Sequence, residues 1–215
     1  MNIDSTRIVL LGKPGSGKGT QASLLAEHLG AAHLSSGEIL RSEIRASTPL
    51  GRRVSEYVER GEIGPEELIA GAIISYIDKN SLGDSYILDG FPRTLYQALE
   101  LDKAFPPYVS ILISLSDTII KERISRRLSC QQCGAVYNID TNPPAKEGVC
   151  SRCGSPVMTR QDDSEEAIAA RLDVFDRQVT PVISYYRDSK RIVEIDGALP
   201  PDEVFSGILN ALRPG

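Results

Sequence analysis

The chain has 215 residues, 41% of them hydrophobic and 25% charged, and a net charge of −5. That length suffices for one core with inserted subdomains, and the acidic balance excludes a global basic field that would draw the chain to nucleic acid or anionic lipid. No apolar run reaches the ~18 residues of a membrane span, and "MNIDSTRIVLLG" lacks the basic start, long apolar run and cleavage site of an export signal, so the cytoplasm is the expected location.

Along the chain, short apolar runs alternate with helical periodicity. "RIVLLG" (7–12) reads as a buried strand ending in glycine, and "GTQASLLAEHLG" (19–30) as an amphipathic helix closed by Gly30. "AHLS" is a second strand, "SYILDG" (85–90) a third, "YVSILISL" (108–115) a fourth and "RIVEIDG" (191–197) a fifth, before the closing helix "PDEVFSGILNALR" (201–213). Near-continuous Ile/Val/Leu strands separated by helices predict an α/β fold, a parallel five-stranded sheet covered on both faces in three layers. Two stretches break that rhythm: a helical segment at 36–64, basic in its first half, and a Pro/Gly/Asn-rich segment at 126–163 that holds every cysteine. The expected division is therefore a core of 1–35, 65–125 and 164–215 carrying two insertions.

"GKPGSGKGT" (12–20) follows a strand and opens a helix, the context a phosphate loop requires. Its glycines let backbone N–H groups turn toward phosphate oxygens, and the helix N-terminus adds a favourable dipole. Lys18 is placed to reach the β- and γ-phosphates. Gly19 stands where Ser or Thr usually binds Mg²⁺, and Thr20 comes one place later. A glycine-rich turn with no ligand is the plain alternative, and strand, spacing, lysine and helix together argue against it. Asp89 ends a buried strand, at the sheet edge where ligands of open α/β sheets bind; there it could hold Mg²⁺ directly or through water. Capping of the turn before Gly90 is its simpler role.

Cys130, Cys133, Cys150 and Cys153 form two Cys-x-x-Cys pairs with the spacing of a closed Cys₄ zinc site, which leaves no open position for water and so makes the metal structural. Two disulfides or a redox pair are the alternatives. Within 130–153, Lys146 and Arg152 offset Asp140 and Glu147, and Tyr137 is the one aromatic. A nucleic-acid module would show a basic stripe and stacking side chains, so the metal reads as a staple for a segment too poor in apolar residues to fold without one.

Taken together, "GKPGSGKGT", "HLSSGEILR" (33–41), "LDGFPRTLYQA" (88–98), the arginines of "ERISRR", the cysteine segment and "TRQDD" (159–163) followed by Arg171 make the chain resemble, over nearly its whole length, an adenylate kinase of the long, zinc-carrying bacterial form. The resemblance implies reversible phosphoryl transfer from MgATP to AMP, giving two ADP, with Mg²⁺ and structural Zn²⁺; a monomer is the simplest expectation, and the charge and apolar pattern give no nucleic-acid or membrane partner. The resemblance also implies ATP binding by Gly15, Ser16, Gly17, Lys18, Gly19, Thr20, Arg123, Arg127, Tyr137 and Leu199. AMP would be bound by Ser36, Arg41, Glu62, Ile63, Gly64, Gly90, Arg93, Gln97, Arg160 and Arg171, with Gln97 reading the adenine edge. Thr20 and Asp89 would support magnesium, Lys18, Arg93, Arg127, Arg160 and Arg171 would carry catalysis, and Asp162 and Asp163 would anchor arginines and the hinge of a lid over 126–163. The chain departs from the pattern at Ser36 for Thr, Glu38 for Asp, Arg126 for Gly and Asn138 for His, and in "EIGPEEL".

The implied nucleophile is an ionised AMP oxygen, so no general base is required and neither His28 nor His33 needs a catalytic role. Arginine forks suit the task of holding two mutually repelling polyphosphates in line. A kinase for UMP, CMP or GMP, or a nucleotide-binding zinc protein without phosphotransfer, are the competing readings.

Overall fold

Alternation along the strands decides which helices cover which face. The computed structural model describes residues 6–58, 64–80, 82, 85–105, 108–130, 132–160 and 163–213. In β1 (Thr6–Leu11) the side chains Ile8 and Leu10 point to one layer, and Val9 and Leu11 to the other, as the period of two requires. The first layer buries Ala22 and Leu25 of α1 (Lys18–Leu29) and Val204 and Ile208 of α8 (Pro201–Leu212). The second buries Ile73 and Ile77 of α4 (Glu66–Lys79), Ala98 and Leu101 of α5 (Leu95–Ala104), and Val182 and Tyr186 of α7 (Glu165–Asp188).

Between these layers lie β1, β2 (Ala32–Ser35), β3 (Ser85–Asp89), β4 (Val109–Ser114) and β8 (Ile192–Asp196). All pair in parallel, in the order β2-β3-β1-β4-β8. The five expected strands and the expected first and closing helices thus each fall within one residue of their sequence reading. The register pairs Leu10 with Asp89 and Ser35 with Asp89, so the loops after β1, β2 and β3 gather at one edge.

Two insertions leave this frame. Between β2 and β3 run α2 (Ser36–Arg45) and α3 (Pro49–Val58) ahead of α4. The two helices pack so closely that a Cβ on Gly51 would lie 2.0 Å from the Glu43 carbonyl oxygen, and Thr48 Oγ1 accepts from the Gly51 N–H at 2.9 Å. Between α6 (Asp117–Ser125) and α7 stands a separate antiparallel sheet of β5 (Arg127–Cys130), β6 (Val136–Asn138) and β7 (Val157–Met158), in the order β6-β5-β7. Its small core consists of Cys130, Cys150, Tyr137 and Val157.

Away from the sheet edge, Arg191 ties β8 to α5. Its guanidinium donates to both oxygens of Asp102, at 2.9 and 2.7 Å, and lies 5.4 Å from the ring centroids of Tyr108, Tyr185 and Tyr186. Tyr108 and Tyr185 also donate to Asp102, which joins α5, α7 and the sheet in one polar knot. Among the described residues no helix is long and apolar enough to cross a membrane.

Candidate active site

The phosphate loop takes its shape from contacts that exclude side chains. A Cβ on Gly12 would sit 2.6 Å from Ser16 Oγ and 2.7 Å from the Ile113 carbonyl oxygen, and one on Gly15 would meet Ile124 at 2.8 Å. Gly17, at φ 98°, opens α1 with no side-chain cap, and the first turn of that helix carries no acid. The helix end is therefore left open to an anion. Ser16 Oγ is buried in the loop without a hydrogen-bond partner among the described residues, and Lys18 Nζ rests on the Lys13 carbonyl oxygen at 3.1 Å.

Lys18 is the electrostatic centre of the site. Burial lowers its pKa to about 8; Asp89 opposes that fall, and the positive charges of Arg93, Arg171 and Arg127 add to it. The tertiary fold thus brings Asp89, Arg93, Arg127 and Arg171 close enough to Lys18 for their charges to act on it. Asp89 stands over the start of α1, where a Cβ on Gly19 would lie 3.4 Å from its Oδ2. Burial works against the Asp89 charge, but the His33 ring 3.7 Å from its Oδ2 and the charges of Lys18 and Arg93 outweigh it and hold its pKa below the usual carboxylate range. Thr20, exposed on the first turn of α1, directly follows Gly19 in sequence. A carboxylate and a hydroxyl beside a phosphate loop are donors that suit Mg²⁺.

Arg127 and Arg171 are held by one carboxylate. Asp163 accepts from Arg127 Nε at 2.9 Å and from Arg127 Nη2, while Arg171 Nη1 reaches its Oδ1 at 3.3 Å. The Asp163 side chain has 0% exposure. Arg160 is half-buried just past β7, on the run leading to Asp163. Asp162 lies outside the described residues, as do Glu62 and Ile63.

A second cleft, of about 500 Å³, opens between the first insertion and α5. Ser36, Arg41, Gly64, Gly90, Arg93 and Gln97, all among the residues that the resemblance assigns to the acceptor, line it. The carbonyl of Gly90, at φ 78°, accepts from Ser36 Oγ and from Arg93 Nε, both at 2.8 Å, and a Cβ there would crowd Ser36 Oγ at 3.0 Å and Arg93 Nη2 at 3.2 Å. Thr94 caps α5 by accepting from the Gln97 N–H at 3.3 Å, and Gln97 Oε1 accepts from the Arg93 N–H at 2.8 Å. This Thr-x-x-Gln arrangement fixes the amide of Gln97. Arg41 is parked on Glu38 at 2.5 Å, an exposed pair that leaves it available to a stronger anion. Gln178, which no motif singled out, lines the same cleft.

A smaller cleft of about 400 Å³ lies at the carboxyl ends of β4 and β8, lined by Ser114, Ser116, Ile119, Asp196 and Ala198. Leu199, 40% exposed, follows Ala198. Arg123 is half-buried in the last turn of α6, and its carbonyl accepts from Asn138 Nδ2 at 3.4 Å. Asn138 also caps the next turn, accepting from the N–H groups of Asp140 and Thr141. Arg126 pairs with Asp140 and with Glu122, the latter at 3.8 Å. The Tyr137 ring is turned into the cysteine core, so only its backbone is available to a nucleotide.

The four cysteine sulfurs lie within 4.8 Å of one another. Cys130–Cys153 and Cys133–Cys150 are each 3.5 Å apart, far beyond a disulfide bond of about 2.05 Å and close to the roughly 3.8 Å edge of a tetrahedron of sulfurs around zinc. Tyr137 OH lies 3.3 Å from Cys150 Sγ and accepts from the Ser151 N–H at 2.9 Å. Its hydroxyl lowers the Cys150 pKa and so favours the thiolate that metals bind. The donor set fits a closed metal site.

Known proteins fall into line with this arrangement. The model of the family "Adenylate kinase" matches residues 10–191. The adenylate kinase of Clostridium acetobutylicum is 41% identical over 211 residues, covering 96% of this chain and 98% of that protein. Those of Ruminiclostridium cellulolyticum and of Clostridium botulinum are each 40% identical over 211 residues, at 96% of this chain and 99% and 98% of theirs. A match that spans both clefts, both insertions and the arginines between them leaves one conclusion: the chain belongs to the adenylate kinase family.

Proposed function

We propose that the protein transfers a phosphoryl group reversibly between MgATP and AMP, giving two ADP. One observation carries the reading. The charge of Arg93, which lines the second cleft, acts on Lys18 of the phosphate loop, as do those of Arg127 and Arg171, so the two clefts converge on a shared group of cations.

That ring answers the difficulty of the reaction. Two polyphosphates repel, and the transition state spreads negative charge over the equatorial oxygens of the moving group. The loop amides and Lys18 take the donor phosphates, while Arg41 and Arg93 take the acceptor phosphate. Arg127, Arg160 and Arg171 lie along the path between them. Planar guanidinium groups hold two oxygens at once and keep attacking and leaving oxygens in line. The acceptor oxygen is already ionised, so no side chain has to remove a proton. Thr20 and Asp89 would hold Mg²⁺, which when bound neutralises charge between the β- and γ-phosphates. The donor base sits in the cleft by Ala198 and Leu199, below Arg123 and the backbone of Tyr137. The acceptor base sits against Gln97 and Gly64.

The segments 36–64 and 126–163 act as closing elements on the core of 1–35, 65–125 and 164–215, and exclude water once both nucleotides are present. Four thiols poised for Zn²⁺ stiffen the second of them and suit a reducing, cytoplasmic setting. Since one chain supplies both clefts, the enzyme works as a monomer. The test is ADP formation from MgATP with AMP, UMP, CMP and GMP in turn. We expect turnover with AMP to exceed that with the others at least tenfold. No ADP from metal-loaded protein and AMP would overturn the reading, and a faster rate with another monophosphate would reassign the acceptor.

A further inference from the structure

α7 brings a second amide into the acceptor cleft. Gln178 lies seven residues beyond Arg171, so both side chains leave the same side of the helix. It lines the cleft with Ser36, Arg93 and Gln97. Its Oε1 is buried and has no hydrogen-bond partner among the described residues. Val179 and Val182, its neighbours on α7, are packed in the core and fix the stem of the helix here, while the terminal amide turns about a soft torsion. An acceptor buried without a donor destabilises the empty protein, where an apolar side chain of equal size would not. A ligand that brings a donor removes that penalty.

We propose that Gln178 positions the acceptor nucleotide: its amide carbonyl accepts a hydrogen bond from the nucleoside of the bound monophosphate, from a ribose hydroxyl or the exocyclic amine. This rests on the reading of the cleft as the monophosphate site. Gln97 from α5 and Gln178 from α7 then hold the nucleoside from two elements, and Arg41 and Arg93 hold the phosphate. Gln178 is a positioning residue that sets acceptor affinity and takes no part in moving charge.

The experiment compares the natural protein with Gln178→Leu, by calorimetric titration with AMP alone and by steady-state assay. The Kd and KM for AMP are expected to rise about 3- to 10-fold, the size of one lost hydrogen bond. The KM for ATP stays unchanged, kcat stays within about twofold, and the melting temperature of the free variant is equal or higher. Repeating the titration with 2′-deoxy-AMP, 3′-deoxy-AMP and the monophosphate of purine riboside identifies the donor, because the variant loses nothing against the analogue that lacks it. Unchanged AMP affinity overturns the proposal. So does an equal loss with all three analogues, or a lowered melting temperature with weakened binding of both ATP and AMP, which marks packing alone. If the natural protein bound AMP yet formed no ADP, phosphotransfer would fail as a reading while the titrations still decided Gln178.

Discussion

Asp163 grips Arg127 with both of its carboxylate oxygens, fully screened from water, and shares one of them with Arg171. One anion thereby fixes two cations that would otherwise repel across the phosphoryl path. Removing the charge of a buried partner leaves its cation unsatisfied. Asp163→Asn is expected to lower kcat about 10- to 100-fold, the range that small misplacements of a catalytic group produce, with smaller changes in both KM values. Steady-state kinetics with both nucleotides checks this; an unchanged kcat would show that Arg127 and Arg171 find their places without it.

Lys18 makes nucleotide binding depend on pH. In the free protein its pKa is lowered to about 8, by burial first. Bound phosphates favour the ammonium form and raise that pKa. Below pH 8 the lysine is charged before and after binding, and no proton moves. Above pH 8 the free protein has lost the proton and must regain it, so affinity for ATP weakens as pH rises. Calorimetry in two buffers of different ionisation enthalpy should register up to one proton taken up near pH 9 and almost none at pH 6.5. Lys18→Met should abolish that uptake.

The Asp102 knot makes stability depend on acid. Burial disfavours the charge of Asp102, but hydrogen bonds from Arg191, Tyr108 and Tyr185 outweigh it and hold the pKa below the ordinary carboxylate value. A depressed folded pKa contributes stability that is present above the unfolded value of about 3.9 and is lost as pH falls through the folded value. Thermal melts from pH 6 down to pH 3 should show the natural protein losing this contribution below about pH 4. Asp102→Asn should melt about 5–10 °C lower at pH 7, from the loss of about 2–3 kcal/mol at a partly buried charge cluster, and converge on the natural protein in acid. Parallel curves at all pH values would contradict the assignment.

Metal at the four cysteines should matter more to the fold than to the chemistry. With Cys153→Ser, or after chelation, the melting temperature should drop while turnover at low temperature stays close to that of the natural protein. Tyr137→Phe, which removes the hydroxyl at 3.3 Å from Cys150 Sγ, should weaken metal affinity by about 10-fold or more in a chelator competition. Equal loss of turnover and melting temperature on chelation, with the fold intact by circular dichroism, would place the metal in the reaction path.

Much of the fold was written in local pattern. The β1–loop–α1 unit follows from an apolar run, then glycines, then a helical period, all within two dozen residues, and neighbours in sequence settle it. The cysteine ribbon is equally local, since Cys-x-x-Cys pairs declare their chemistry by spacing. Ser36, Arg41, Gly90, Arg93 and Gln97 were named through motifs that follow the ends of β2 and β3 and carry the family resemblance, whereas Gly64 follows no strand.

Groups whose partners are distant in sequence could not be read in that way. Nothing near Asp102 announces Arg191, and nothing near Gly51 announces the Glu43 carbonyl that excludes a side chain there. Tyr137 entered as a nucleotide contact, yet the fold of the ribbon turns its ring onto Cys150. Gln178 lies on a helix whose sequence shows only an apolar stripe, and it acquires its cleft from α2 and α5.

By itself the sequence determined the five strands of the main sheet, the first and closing helices, the phosphate loop and the thiol pairs, because each depends on residues a few positions apart. Only the tertiary structure decided which charges meet. Lys18, Asp89, Arg93, Arg127 and Arg171 come from separate elements, and electrostatic interaction follows distance through space rather than along the chain.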